Sequence, residues 1–484
     1  MNLSGRYFEE AQSSGFLVNK NNVSGKGNVA DFNFTPSLTW KTSDRWKNTF
    51  RYYTSSYKTN ASLNYENSGA VYDQSFFKQT FQRPEWQSDF TLNQKNLLTL
   101  GIGQVSETVE ATRYVGTKSM ANRYIFAQYE YFPTPRLQFI GGGRFDAHNV
   151  YRSQFSPKIS AQYELNDQWA VRASGGVGYK APDFRQLYLN FTNAVAGYSV
   201  FGSNEVQNEV EKLQKTGQIA GILTDLAQFG AIRPESSVAF NVGTKFQNKA
   251  KNIRWSVNIF RNNVKDLIET QAVAAKTNGQ NVFSYLNLNQ VFTQGIETDF
   301  NYQLSIGRRS AINSHRSAHQ LSISVGYQYL EAKDQAVLNK IKDGKLFGRN
   351  PETLATTRLT KSDYGGLFSR SKHSANVKLF YELPTGGEPQ NKITTSLRAI
   401  YRSRYGFGDS NGNLILDADN EYVKGFVTLN FAAMKTFGRR SDRNYFTLQA
   451  GIDNLLNYRN ELQIPNLAGR LWYVSARINL EKKS

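Results

Sequence analysis

Apolar and polar residues alternate with a period of two from one end of the chain to the other, and that pattern predicts strands. Over residues 155 to 165, Phe155, Pro157, Ile159, Ala161, Tyr163 and Leu165 fall on one face, with Ser156, Lys158, Ser160, Gln162 and Glu164 on the other. The same alternation returns at Leu321, Ile323, Val325, Tyr327 and Tyr329, at Phe446, Leu448, Ala450 and Ile452, and at Trp472, Val474, Ala476, Ile478 and Leu480. About 18 strands follow from it. They are expected near 1–9, 30–40, 45–55, 84–92, 96–110, 120–132, 136–146, 155–164, 168–180, 237–247, 251–270, 282–304, 319–330, 374–384, 391–402, 421–435, 444–453 and 470–481.

Alternation alone fits a sandwich as well as a barrel. The connections separate the two, because they alternate between short and long. Asn93 to Lys95, Pro133 to Pro135, Leu165 to Asp167 and Asn248 to Ala250 read as tight turns. Residues 10–29, 56–83, 181–236, 331–373 and 403–420 read as long excursions, and Ser305 to Ala318 as one turn of unusual length. Bacterial outer-membrane barrels keep this asymmetry, with short periplasmic turns, long extracellular loops and an even strand count. Aromatic residues near strand ends, such as Tyr52, Tyr53, Tyr129, Tyr131, Phe132, Trp169, Trp472 and Tyr473, fit the interfacial girdles of such barrels. Within the longest excursion, Val210, Leu213, Ile219, Ile222, Leu223, Leu226 and Phe229 predict a short helix over Asn208 to Phe229. The expected fold is all-β: a transmembrane antiparallel β-barrel over residues 1–484, with a short helix in one extracellular loop.

Composition agrees with that fold. Tyr (27) and Phe (32) bring the aromatic share to 13%, while charged residues stand at 20%. No run approaches the roughly 18 apolar residues of a membrane helix, which a barrel does not need. The absence of cysteine excludes disulfides, thiolate metal sites and cysteine nucleophiles. The formal charge of +19 is scattered rather than clustered, which argues for solvated surface, anionic lipopolysaccharide or an anionic ligand, and against nucleic acid. Met1 to Tyr7 show no charged region followed by an apolar core, so no export signal is expected in these residues.

Several segments resemble the β-barrel domain of TonB-dependent outer-membrane receptors. Phe155-Ser156-Pro157-Lys158-Ile159, followed by Gly178-Tyr179-Lys180-Ala181-Pro182 and then Gln186-Leu187-Tyr188, is similar to the family's pattern in this region. So are Arg233-Pro234-Glu235-Ser236, the strand Gly295-Ile296-Glu297, and Gly451-Ile452-Asp453-Asn454-Leu455-Leu456-Asn457 with Gly469-Arg470. The resemblance implies a 22-stranded barrel of which about 18 strands are visible, lacking the N-terminal plug and the first strands. It implies a binding and transport protein, not an enzyme, that captures a scarce solute and engages the TonB complex through that plug. Outer-membrane lipid, lipopolysaccharide and a surface lipoprotein complete the expected partners. Because unpaired edges in lipid are costly, the visible strands alone are expected to make a poor barrel.

The expected solute is a ferric siderophore, carried as cargo and not as an intrinsic cofactor. Arg402, Arg404, Tyr405 and Phe407 combine cations with aromatic faces, which suits an anionic ferric chelate. Tyr198 and Phe201 make the longest loop a second candidate for ligand contact. Cobalamin and haem are the competing solutes of the same family, although the loop from Asp183 to Ser236 has no histidine for haem. A passive porin-like barrel is the competing class. Asp409, Asn411, Asn413 and Asp417 have calcium-loop spacing, but Leu414 occupies the glycine position and an ordinary Asn411-Gly412 turn competes. His315 and His319 are spaced for two ligands on a helix, yet the strand pattern puts them at a turn. His148 near Asp146 lacks an evident serine partner, and no Gly-x-Ser-x-Gly elbow is present.

Overall fold

The computed structural model describes all residues except 19, 194–196, 231, 308–318, 350–354, 386–390, 409–414, 417, 439–444, 465 and 480–484. Eighteen strands of nine residues or more run through the described residues. They are β1 (Asn2–Val18), β2 (Asn21–Ser43), β3 (Trp46–Tyr65), β4 (Val71–Asn93), β5 (Asn96–Ala111) and β6 (Lys118–Thr134). Then come β7 (Leu137–His148), β8 (Gln154–Glu164), β9 (Trp169–Lys180), β10 (Glu235–Gln247), β11 (Ile253–Lys276) and β12 (Asn281–Ile306). The series closes with β13 (His319–Asp334), β14 (His373–Pro384), β15 (Lys392–Arg402), β16 (Phe426–Gly438), β17 (Tyr445–Asp453) and β18 (Leu471–Asn479). No helix among the described residues is long and apolar enough to cross a membrane.

The chain divides into two units: Met1–Ala161 with Ser174–Ala239 and Val264–Gln290, and Gln162–Ala173 with Phe240–Asn263 and Val291–Ser484. In the first, β1 to β7 pair antiparallel, each with the next along the chain. In the second, β12 to β18 do the same. Sequence neighbours that pair directly need only hairpins, so the meander is the arrangement short turns permit.

Each unit has an apolar face and a polar one, because successive side chains on a strand point to opposite sides. In the first unit Phe50, Trp86, Ile102, Ile125, Phe145 and Ile159 are exposed on one face, Ile159 to 65% of its surface. A soluble protein would cover such a band; lipid covers it in a membrane barrel. The opposite face is a polar lattice that crosses strands. Arg51 donates to Glu85 at 3.1 Å and Gln87 at 3.0 Å, Gln87 to Asp89 at 2.7 Å, and the Tyr124 hydroxyl to Glu85 at 2.8 Å. Asp146 accepts from Asn122 at 2.7 Å and from Arg144, whose guanidinium lies 3.6 Å from the centre of the Tyr124 ring. The second unit repeats the scheme, with Ile296, Phe300, Leu304, Phe431 and Val474 exposed on the apolar face and the Gln328–Glu297 hydrogen bond on the other.

Four expectations are corrected. Residues 10–18, 21–29, 56–65 and 71–83 are not loops but the far ends of β1 to β4, with β1 and β2 paired without a gap from Val18 opposite Asn21 back to Asn2 opposite Ser37 and β3 and β4 paired from Asn64 opposite Val71. Their Ser-, Asn- and Gly-rich sequence loses the apolar alternation because both faces are wet there, while the backbone ladder continues. The predicted helix over 208–229 is shorter: it spans Val206–Lys215, Gly217 turns the chain at φ 70°, and Ile219–Ile222 becomes a short strand on β11. Ser305 does not open a turn, since β12 runs to Ile306. Finally, His319 belongs to β13, where its Nδ1 meets the Tyr381 hydroxyl at 2.6 Å, and His315 lies outside the described residues.

Candidate functional site

The loop that leaves β9 is held at its root by the residues of its motif. The Lys180 ammonium reaches Glu235 Oε1 at 3.1 Å, and the same oxygen accepts the Ile268 backbone N–H at 3.2 Å. Glu235 is buried, so one carboxylate ties the start of β10 to both β9 and β11. Ala181 and Pro182 end the strand, and the Tyr151 hydroxyl donates to the Pro182 carbonyl at 2.8 Å. Burial pushes that phenol up from its ordinary range, so it remains a donor at ordinary pH. Asp183 then caps the first helix, α1 (Phe184–Tyr188), in a reciprocal capping box with Gln186. Arg233 beside Pro234 pairs with Asp266 at 2.6 Å where the loop returns. Tyr179 stands one residue before Lys180 on β9.

Inside this loop the aromatic residues are already engaged. Phe201 is 2% exposed, on a short strand that runs parallel to Val282–Phe283. It packs with Val206 and Val210 of the second helix, α2 (Val206–Lys215), and with Phe229, Val273 and Val282. Tyr198 is half-buried and edge-on to Phe191 and Phe283, at 6.0 and 6.4 Å between ring centres. Beneath the strand the buried Lys276 ammonium donates to the Gly197 carbonyl at 2.8 Å and the Ser199 hydroxyl at 3.2 Å. The loop thus carries its own core, and Phe201 is part of that core and not of a ligand-facing surface.

The second unit offers a different arrangement. A polar cavity of about 480 Å³ opens on the polar face of β12 to β15, at their loop-side ends. Glu297 and Asp299 enter from β12, Ser374 and Asn376 from β14, Arg398 and Arg402 from β15, and Arg370 from the preceding loop. Glu297 accepts from Gln328 at 2.8 Å. Arg398 and Arg402 are exposed and have no carboxylate partner among the described residues. Arg398 stands directly opposite Lys378 in the β14–β15 ladder, a like-charge pairing that costs stability unless an anion offsets it. Gly295 keeps β12 close to its neighbour, since a Cβ there would lie 1.9 Å from the Tyr329 carbonyl oxygen.

The structure brings Arg402 and Glu297 to this one cavity. Arg404 is directed elsewhere: its guanidinium bonds Asp419 at 2.7 Å and lies 3.9 Å from the Tyr422 ring centre. Tyr405 sits in a two-residue strand opposite Val423, and Phe407 is exposed beside it. Asp409, Asn411, Asn413 and Asp417 lie outside the described residues, so the calcium-loop expectation stays there. Sequence reading missed Arg370 and Arg398. Arg398 hid in an alternating strand, and the signal that could have marked it was a cation at a position facing the lumen.

The last hairpin motif is structural. Asn454, at φ 50°, donates from Nδ2 to the Tyr458 and Ala468 carbonyls at 2.8 and 2.9 Å and accepts the Tyr458 N–H at 3.0 Å. Asn tolerates that left-handed backbone better than most residues. Arg470 donates to the Leu455 carbonyl at 2.7 Å, and Gly469 leaves room for the Arg459 guanidinium, 2.4 Å from where a Cβ would stand.

Long antiparallel strands with a lipid-facing apolar band, a polar opposite face and loops concentrated at one end define an outer-membrane β-barrel. The family described as TonB dependent receptor-like, beta-barrel matches residues 2–455, and the chain belongs to it. An iron-regulated outer membrane virulence protein of Vibrio cholerae serotype O1 is 26% identical over 84 residues, 17% of this chain and 13% of that relative's length. Among solved structures, the siderophore receptor PirA from Acinetobacter baumannii is similar at TM-score 0.55 and 14% identity, over 98% of this chain and 77% of the other. The FrpB iron transporter from Neisseria meningitidis is similar at TM-score 0.57 and 12% identity, over 94% and 66%. The chain is an outer-membrane protein of a family of transport receptors, not enzymes.

Proposed function

We propose that this barrel captures an anionic ferric chelate at the arginine-bearing cavity of β12 to β15. The observation that carries the reading is the pair Arg398 and Arg402, free of carboxylate partners among the described residues, with Lys378 opposite Arg398. Three arginines outweigh Glu297 and Asp299, so the cavity favours a negatively charged solute that can accept bidentate hydrogen bonds. The iron-linked names of the similar proteins support iron as the cargo. Cobalamin, without a comparable negative charge, uses none of this electrostatic excess. A passive pore would gain nothing from it either.

Uptake would then proceed by capture on the loop side, passage along the polar face, and energy coupling to the TonB complex through a plug domain. The residues described here contribute the capture step. The test is equilibrium binding of three ferric chelates of similar size and different net charge to the purified receptor. The proposal expects affinity to rise with negative charge and to fall as salt screens it. Tighter binding of a neutral chelate, with no salt dependence, contradicts it.

A further inference from the structure

We infer that the chelate captured at the arginine cavity is dipolar, with an anionic iron-bearing end held by the arginines and a cationic amine, on an arm about 14 Å long, held by Glu297 and Asp299. The inference rests on that cavity being the capture site, and its basis is the register of the strands. Glu297 of β12 stands opposite Gln328, Gln328 opposite Ser374, and Ser374 opposite Arg402 of β15. One row across four strands thus has a carboxylate at one end, a guanidinium at the other and neutral groups between. Three steps of about 4.8 Å put about 14 Å between the two backbones. The next row runs Asp299, Gly326, Asn376 and Ile400, again with its acid on β12, and the row after it ends on Lys378 and Arg398.

Each end crowds charges of one sign. Glu297 and Asp299 share a face two residues apart, about 7 Å, just as Lys378 faces Arg398 on the other side. Among the described residues neither acid has a cationic partner: Glu297 accepts from Gln328 at 2.8 Å, and Asp299 is exposed and accepts from nothing. Between the ends Gly326 contributes no side chain. A Cβ there would lie 2.5 Å from Asn376 Nδ2 and 3.2 Å from Asp299 Oδ1, so the amide and the acid both lean over the glycine. An ammonium has three donors, and Glu297, Asp299 and the Asn376 amide oxygen are three acceptors at that end of the cavity. The arginines repel an amine so placed only weakly, since about 14 Å exceeds the screening length of about 8 Å at physiological salt, whereas the carboxylates touch it. The chelate's negative charge stays on its iron-bearing end.

The experiment measures dissociation constants of purified receptor for a ferric tris-catecholate with a primary amine on an arm of about 14 Å, for its N-acetylated form, and for a version with the arm cut to about 7 Å. Wild type is expected to bind the long-armed amine about tenfold more tightly than its acetylated form, the scale of a charge-assisted hydrogen bond, and to gain nothing from the short-armed amine. Asp299→Asn, a change of charge without change of shape, should bring that ratio near one and leave the acetylated form no weaker. Arg398→Gln should weaken all three chelates and keep the ratio. Heat-modifiable gel mobility reports that each variant is folded. An amine advantage that is absent from wild type, equal on the short arm or retained in Asp299→Asn overturns the inference, while a loss of affinity in Arg398→Gln still upholds the cavity as the capture site. Binding indifferent to Arg398→Gln overturns the reading on which the inference rests.

Discussion

The loop between β9 and β10 and the cavity on β12 to β15 are both rich in the residues a ligand could use, yet they have used them differently. In the loop, Phe201 sits in a core with Val206, Val210 and Phe229, and Lys276 saturates two loop oxygens. In the cavity, Arg398 and Arg402 face space, and Lys378 sits close enough in register to repel Arg398. An aromatic or a cation in a long loop is therefore weak evidence of contact with a solute. What separates the two regions is whether the side chain's interactions are already satisfied within the protein.

That contrast can be broken or sharpened by substitution. The largest effect is expected at Phe201. Phe201→Ala leaves a cavity in the loop core at a cost of about 3–5 kcal/mol, so α2 should become protease-sensitive and exchange its amide hydrogens quickly. If the loop stays as protected as wild type, it has no core of its own. Next comes Glu235→Ala, which strands the buried Ile268 N–H and removes the Lys180 ion pair, at a cost of about 1–3 kcal/mol in denaturant midpoint experiments.

Lys378→Gln should act in opposite directions on the two quantities that matter at the cavity. Relief of the like-charge pair stabilises the empty protein by about 0.2–1 kcal/mol, while binding of an anionic chelate weakens. A variant that loses stability and keeps its affinity would show that Lys378 and Arg398 do not repel. The smallest effect is expected at Arg404. Its guanidinium is engaged with Asp419 and Tyr422 in an exposed loop, so Arg404→Ala should leave chelate affinity within about twofold and stability within about 1 kcal/mol.

The fold was legible wherever one face of a strand meets lipid. Phe155 to Leu165 and Trp472 to Ile478 alternate because lipid selects one face and water the other, and strand number and sidedness followed from that and from the turns. Where β1 to β4 leave the apolar band, both faces meet water and the period vanishes, so Ser24, Gly25 and Asn60 read as loop although each is paired. The site was less legible. Arg402 could be picked out beside aromatic residues, but Glu297 and Arg370, which line the same cavity, lie elsewhere in the sequence, and only the register of β12 to β15 brings them together. Conversely, Arg404 and Phe201 looked available because a sequence does not display Asp419 under a guanidinium or Val282 against a ring.

The most direct measurement is the dissociation constant of a multiply anionic ferric catecholate for wild type and for the Arg398→Gln/Arg402→Gln double variant, each at two salt concentrations. The account predicts a loss of about a hundredfold or more in the double variant, with most of the salt dependence gone. An affinity and a salt dependence equal to wild type would place the solute somewhere other than the arginine cavity and contradict the account.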